Sequence, residues 1–187
     1  HESETSSLYT AVPFDQDASF LVIGERTNSN GSKAFREAML AEDYQKCLDI
    51  AKDQTRDGAH MLDLNVDYVG RDGAADMTAL ASRFATSSTL PIMLDSTEPE
   101  VIKLALEQTP GRAIVNSINL EAGEEKANVV VPLAVEHGAA LGLAGIPGRQ
   151  VAPQNLATVS VWLHYRGLVV LALLVVGNLF CTALRRT

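Results

Sequence analysis

Cysteine is scarce in this chain of 187 residues: Cys47 and Cys181 are its two thiols, and neither lies in a Cys-x-x-Cys pair or a Cys/His cluster. Disulfide frameworks and zinc sites need clustered ligands, so neither organises this protein and no metal centre is expected. Positive charge is also in deficit, with 15 Lys and Arg against 23 Asp and Glu and a net charge of -8. So acidic a chain has no electrostatic reason to seek the phosphates of nucleic acid, and no nucleic-acid role is expected. The opening stretch HESETSSLYTAVPF lacks the basic start and apolar centre of a secretory signal. Its polar, Ser-rich character is what an excised piece of a larger protein or an interdomain linker would show; residues 1–18 are assigned as linker and a cytoplasmic location is expected, with membrane association as the alternative.

What is present, from Phe20 onward, is an alternation of short apolar runs and longer amphipathic segments. The runs are FLVIG (20–24), MLDLNV (61–66), PIMLD (91–95), AIVNSI (113–118) and AALGLAG (139–145). Tyr44, Cys47, Leu48 and Ala51 fall at i, i+3, i+4 and i+7, which predicts a helix with one buried face, closed by Gly58. Met77, Leu80, Ala81 and Phe84 repeat that spacing, and Ser96-Thr97-Glu98-Pro99 supplies start signals for a third helix that Gly111 closes. Repeated strand–helix units predict a parallel α/β fold over 19–145, either a doubly wound sheet or most of a barrel. A complete eight-fold barrel needs about 250 residues, more than are here.

Acidic and amide residues recur at the ends of the apolar runs, where parallel α/β folds place their ligand-facing loops. Asp63 and Asn65 end the second run, Asp95 the third and Asn116 the fourth. Any one alone could cap a helix or bond a loop backbone. Four together favour a polar site, because an unpaired polar group in apolar company costs about 1–3 kcal/mol. Gly24 with Gly31-Ser32-Lys33 has the wrong spacing for a phosphate-binding loop. His60 and His137 read as structural histidines, and Glu124-Glu125 and the charges from Asp53 to Asp57 as solvated helix faces.

Taken together, IGERTNSNGSKAFREAM, DGAHMLDLNVDYVGRDG, LPIMLDSTEP and RAIVNSIN resemble, in order and spacing, the pterin-binding domain of cobalamin-dependent methionine synthases, particularly the actinobacterial forms. The resemblance covers about seven tenths of the chain, from SLYTAVPF to PLAVEHGAA. It implies a partial TIM-type (β/α) barrel of about five units that binds 5-methyltetrahydrofolate, whose N5-methyl group passes to cobalamin carried by another domain or protein. It further implies that Asp63 and Asp95 are pterin-facing carboxylates, that Asn65 and Asn116 meet the pterin edge, and that Asn116 lies nearest N5. Glu25, Arg26 and Asn28, within GERTN, would form the barrel mouth, with Ser96 and Ser117 as supports. A dihydropteroate synthase-like pterin enzyme is a more distant alternative.

The chain then departs from that family. GLAGIPGRQVAPQNLAT (142–158) reads as a loop, with 146–166 assigned as loop or linker, and does not match the family's continuation. Gly167 to Leu184 is uncharged for 18 residues between Arg166 and Arg185. As an apolar helix it would extend about 27 Å, so a membrane segment at 167–184 is an alternative to a buried element. A barrel stopped at five strands is expected to have unpaired edges and an incomplete wall. A non-catalytic, membrane-attached fragment is therefore the competing reading.

Overall fold

A computed structural model of the chain describes residues 3–16, 21–119 and 124–144, with three short strands at 158–159, 162–165 and 168–171. The stretch expected as a linker carries two strands, β1 (Glu4–Ser6) and β2 (Ala11–Pro13), paired antiparallel with Thr5 opposite Val12. The strand–helix repeat follows as β3 (Leu21–Gly24), α1 (Lys33–Leu40), α2 (Tyr44–Arg56), β4 (Met61–Asn65), α3 (Gly73–Ser87), β5 (Ile92–Asp95), α4 (Pro99–Gln108), β6 (Ile114–Asn119), α5 (Glu124–Glu136) and β7 (Ala140–Ala144). The tail contributes β8 (Thr158–Val159), β9 (Trp162–Tyr165) and β10 (Leu168–Leu171).

β3 to β7 lie side by side in chain order, each parallel to the next. A doubly wound sheet would reverse its strand order at a switch point, and an unbroken order is the pattern of a (β/α) barrel. Side-chain alternation separates the two faces. Leu62, Leu64, Ile92, Leu94, Val115 and Leu141 pack outward with Cys47, Ala51, Met77, Leu80, Phe84 and Ile102 of the helices. Met61, Met93, Ile114 and Ala140 point the other way and form a second cluster with Leu21, Ile23 and Phe14. The predicted helix faces thus meet the outer side of the sheet, as the i, i+3, i+4 spacing requires.

Local signals explain the helix boundaries. Ser32 accepts from Phe35 N at 3.3 Å, so the Gly-Ser-Lys stretch opens α1. Asp43 and Asp72 cap α2 and α3, each accepting a backbone N–H at 3.0 Å. Gly58 and Gly111 take φ of +89° and +83°, a region open to glycine, just beyond α2 and α4. Ser96 does not cap α4; Glu98 holds that position without a side-chain bond, and Pro99 supplies the first turn. At Gly111 the chain meets the hairpin, where Ser6 N donates to Arg112 O at 3.0 Å and Arg112 N returns a bond to Ser6 O at 3.1 Å.

The tail differs from expectation. Residues 168–171, expected within an apolar helix over 167–184, are a strand antiparallel to β3, with Leu171 opposite Leu21 and Val169 opposite Ile23. β8 and β9 likewise fall inside the stretch assigned as loop, and β8 runs parallel to β7. An uncharged run fits helix and strand equally well, and here the open edge of β3 offers backbone partners. The edges of the five-strand sheet, expected to be bare, are therefore covered, and the sheet ends at β8 and β9. Residues 145–157 and 172–187 lie outside the described residues. Among the described residues no helix is long and apolar enough to cross a membrane.

Candidate functional site

On the inner face β4, β5 and β6 each change character within two residues. Met61 is followed at i+2 by Asp63 and at i+4 by Asn65, Met93 by Asp95, and Ile114 by Asn116. Side chains two apart share a face, so an apolar layer toward the strand starts is overlaid by a polar layer toward the strand ends. Register joins that layer laterally: Asn65 stands opposite Asp95, and Asp95 opposite Asn116. Four residues singled out from the sequence are thus brought together at the carboxyl end of the barrel, where this architecture places its chemistry.

The loop after β3 reaches into the same place. Asn28 Nδ2 donates to Asp63 Oδ2 at 2.8 Å and to Asp95 Oδ2 at 3.0 Å. Its Oδ1 accepts from Asn30 N at 2.9 Å and Gly31 N at 3.2 Å, which fixes the amide orientation and fills its bonding capacity. Asn28 therefore braces the two carboxylates. Asn65 is similarly committed: Nδ2 donates to Asp95 Oδ2 at 3.2 Å, while Oδ1 accepts from Ser29 Oγ at 2.9 Å, Asn30 Nδ2 at 3.3 Å and Asp67 N at 3.0 Å.

Two groups at the site have no hydrogen-bond partner among the described residues: Asp63 Oδ1 and the Asn116 side chain. Asp63 is 1% exposed, yet its Oδ1 is buried without a hydrogen-bond partner among the described residues. No described hydrogen bond occupies the Asn116 side chain, and Gly142 beside it carries no Cβ; one placed there would lie 3.5 Å from Asn116 Oδ1 and 3.3 Å from Val115 O. Burial pushes the Asp63 carboxyl well above the usual carboxylate range, the charge of Asp95 adds to the rise, the Asn28 bond opposes it and Glu25 adds again. Asp95 is also raised, chiefly by burial, with Asp67 adding to the effect and Asn65, Asn28 and Lys126 working against it. Two close carboxyls with an empty acceptor form a site built to receive hydrogen-bond donors.

The remaining expected residues divide. Glu25 is near enough for its charge to act on Asp63. Arg26 turns to the helical layer instead: its guanidinium pairs with Asp57 at the end of α2, and its N–H donates to Gln54 Oε1 at 2.6 Å. Gln54 can approach because residue 24 is glycine, where a Cβ would lie 2.7 Å from Gln54 Oε1. Ser96 is buried but faces Asp67, not the paired carboxylates, with Oγ donating to Asp67 Oδ1 at 2.8 Å. The side chain of Ser117 lies outside the described residues. His60 is structural, its Nδ1 accepting from Val22 N at 2.9 Å. Sequence reasoning missed Asp67, Ser29, Asn30 and Lys126, the last donating to Ser96 O at 3.1 Å. Asp67 had a signal, since it extends the 63, 65 alternation by one further step.

A family model described as pterin binding enzyme matches residues 24–161. The chain is 69% identical over 144 residues to a protein named methionine synthase from Mycobacterium tuberculosis (strain ATCC 25618 / H37Rv), covering 75% of this chain and 12% of that protein. It is 65% identical over 144 residues to a methionine synthase from Mycobacterium leprae (strain TN), with the same 75% and 12% coverage. The chain thus spans about 12% of the length of the curated relatives it matches.

Proposed function

The chain belongs to the family of pterin-binding enzymes, and from that premise we propose that it is the folate-holding module of a cobalamin-dependent methyltransferase in methionine biosynthesis. In this reading 5-methyltetrahydrofolate binds at the mouth of the barrel and gives up its N5-methyl group. The observation that carries it is the buried Oδ1 of Asp63 beside Asp95, without a hydrogen-bond partner among the described residues. A carboxylate accepts two parallel bonds, and the pterin edge offers an exocyclic amine next to a ring N–H, so one contact fixes both plane and register of the ring. The apolar layer beneath suits the ring's face.

Each residue then has a task. Asp63 and Asp95 orient the ring, while Asn28 and Asn65 hold those carboxyls still. Asn116, whose amide no hydrogen bond among the described residues occupies, is assigned to N5. Methyl loss leaves a nitrogen that is a better leaving group when hydrogen-bonded or protonated, and an amide fixed beside it assists by orientation and electrostatics. Cobalamin, carried by another domain or protein, would supply the nucleophile for the methyl group. A cytoplasmic location is part of the same proposal, carried over from the family resemblance. Fractionation of the expressed chain tests it against the membrane alternative.

Calorimetric titration of the purified chain with 5-methyltetrahydrofolate tests the reading. Saturable binding with a Kd on the order of micromolar, about -8 kcal/mol, is expected, and it should vanish when Asp63 and Asp95 are both replaced by Ala. A folded chain that does not bind, or a double variant that binds as well as the parent, overturns it.

A further inference from the structure

The loop after β4 holds a further carboxylate, Asp67. Asp67 Oδ1 accepts from Ser96 Oγ at 2.8 Å, and Oδ2 accepts from Thr97 N at 2.7 Å and Thr97 Oγ1 at 3.0 Å. Its own N–H donates to Asn65 Oδ1 at 3.0 Å, and its carbonyl accepts from Ser29 Oγ at 3.3 Å. One residue therefore touches the loops that follow β3, β4 and β5, and Lys126 of α5 joins them through Ser96 O. The loop itself is pinned from its far side, where Arg71 grips the buried carboxylate of Asp76 with bonds of 2.8 and 2.5 Å.

We infer that Asp67 is a positioning residue of this site: it clasps the loops after β4 and β5 so that Asn65 and Asp95 stand opposite one another, and it acts on bound pterin only through them. The inference rests on the folate reading for its last clause; the clasp stands on geometry alone. A carboxylate suits the task better than an amide because it is acceptor-only, and three donors converge on it. Its charge also reaches Asp95, which is faced by Asp63 from β4, Asp67 from the loop and Lys126 from α5, with Glu25 acting on Asp63 from the β3 side. Burial dominates the upward displacement of Asp95, and Asp67 contributes to it.

The test uses the full chain with Asp67→Asn, which keeps shape and one acceptor oxygen, and Asp67→Ala, which keeps neither. Carbon-detected NMR follows the titration of the Asp95 carboxyl without ligand, and calorimetry follows 5-methyltetrahydrofolate binding. Asp67→Asn should move the Asp95 midpoint to lower pH. Asp67→Ala should also weaken folate binding by about tenfold, the loss expected from one charge-assisted bond. Should Asp67→Ala fail to fold, the isosteric Asp67→Asn carries the test on its own. An Asp95 midpoint unmoved in Asp67→Asn overturns the inference, whatever happens to thermal stability. If the parent binds no folate yet the midpoint moves, the action of Asp67 on Asp95 stands and the folate reading falls.

Discussion

The inner face of the barrel has two ends of opposite character, built on the same strands two residues apart. At one end Met61, Met93, Ile114 and Ala140 close over Phe14 from the hairpin, and all are buried. At the other, Asp63, Asp95 and Asn116 lie together, with one buried oxygen lacking a partner among the described residues. The backbone geometry is shared, so only the side chain at i or i+2 decides which end a residue serves. The closed end contributes stability through buried apolar area, and the open end gives up some of that stability to keep acceptors ready for a ligand. In this architecture the starts of the strands are where stability resides and their ends are where ligands bind.

The largest effect is expected at the closed end. Phe14 is 1% exposed and enters the barrel from outside the repeat. Phe14→Ala should cost about 3–5 kcal/mol of unfolding free energy, the range for removing a buried phenyl ring. Urea denaturation measures that loss, and folate titration of the folded protein should show an affinity within about twofold of the parent. If affinity falls in step with stability, the two ends are one cooperative unit and the division is wrong.

The next test reverses the sign. Asp63→Asn removes a buried carboxyl whose ionisation beside Asp95 is costly, so it should stabilise the ligand-free chain by about 1 kcal/mol near neutrality while abolishing folate binding. The pH dependence follows from the raised folded-state pKa of Asp63. Such a carboxyl binds its proton more tightly folded than unfolded, so its contribution favours the fold below the ordinary carboxylate range and is lost as pH rises through the raised value. The advantage of Asp63→Asn over the parent should therefore be widest near neutrality and close as pH falls toward about 4. An advantage that does not change with pH would mean the Asp63 carboxyl is not raised.

The two ends were unequally legible in the sequence. Strands β3 to β7 and helices α2 to α4 follow from apolar runs and i, i+3, i+4 spacing, because burial on one face enforces those periods. Asp63, Asn65, Asp95 and Asn116 stood out as polar residues closing apolar runs. What supports them did not stand out, since Ser29, Asn30 and Lys126 lie in loops or at a helix start, where partners are chosen by three-dimensional proximity and not by period. The hairpin that seals the closed end has strands of three residues, too short to show alternation. The strand Leu168–Leu171 was hidden for another reason, in that an uncharged run has no polar face to reveal its period.

Arg26 offers the smallest effect and sharpens where the open end stops. Its place in the GERTN segment puts it at the barrel mouth by resemblance, yet its guanidinium pairs with Asp57, and both side chains are about half exposed at 42% and 57%. Exposed pairs contribute between about 0 and 1 kcal/mol, because water screens the charges and two long side chains lose freedom. Arg26→Gln should therefore change unfolding free energy by less than about 1 kcal/mol and folate affinity by less than about twofold. The backbone N–H that Gln54 accepts is untouched by the substitution, so the loop keeps its anchor. A tenfold loss of affinity with unchanged stability would show that the side chain leaves Asp57 when ligand arrives, and the boundary of the site would then include the first loop in full.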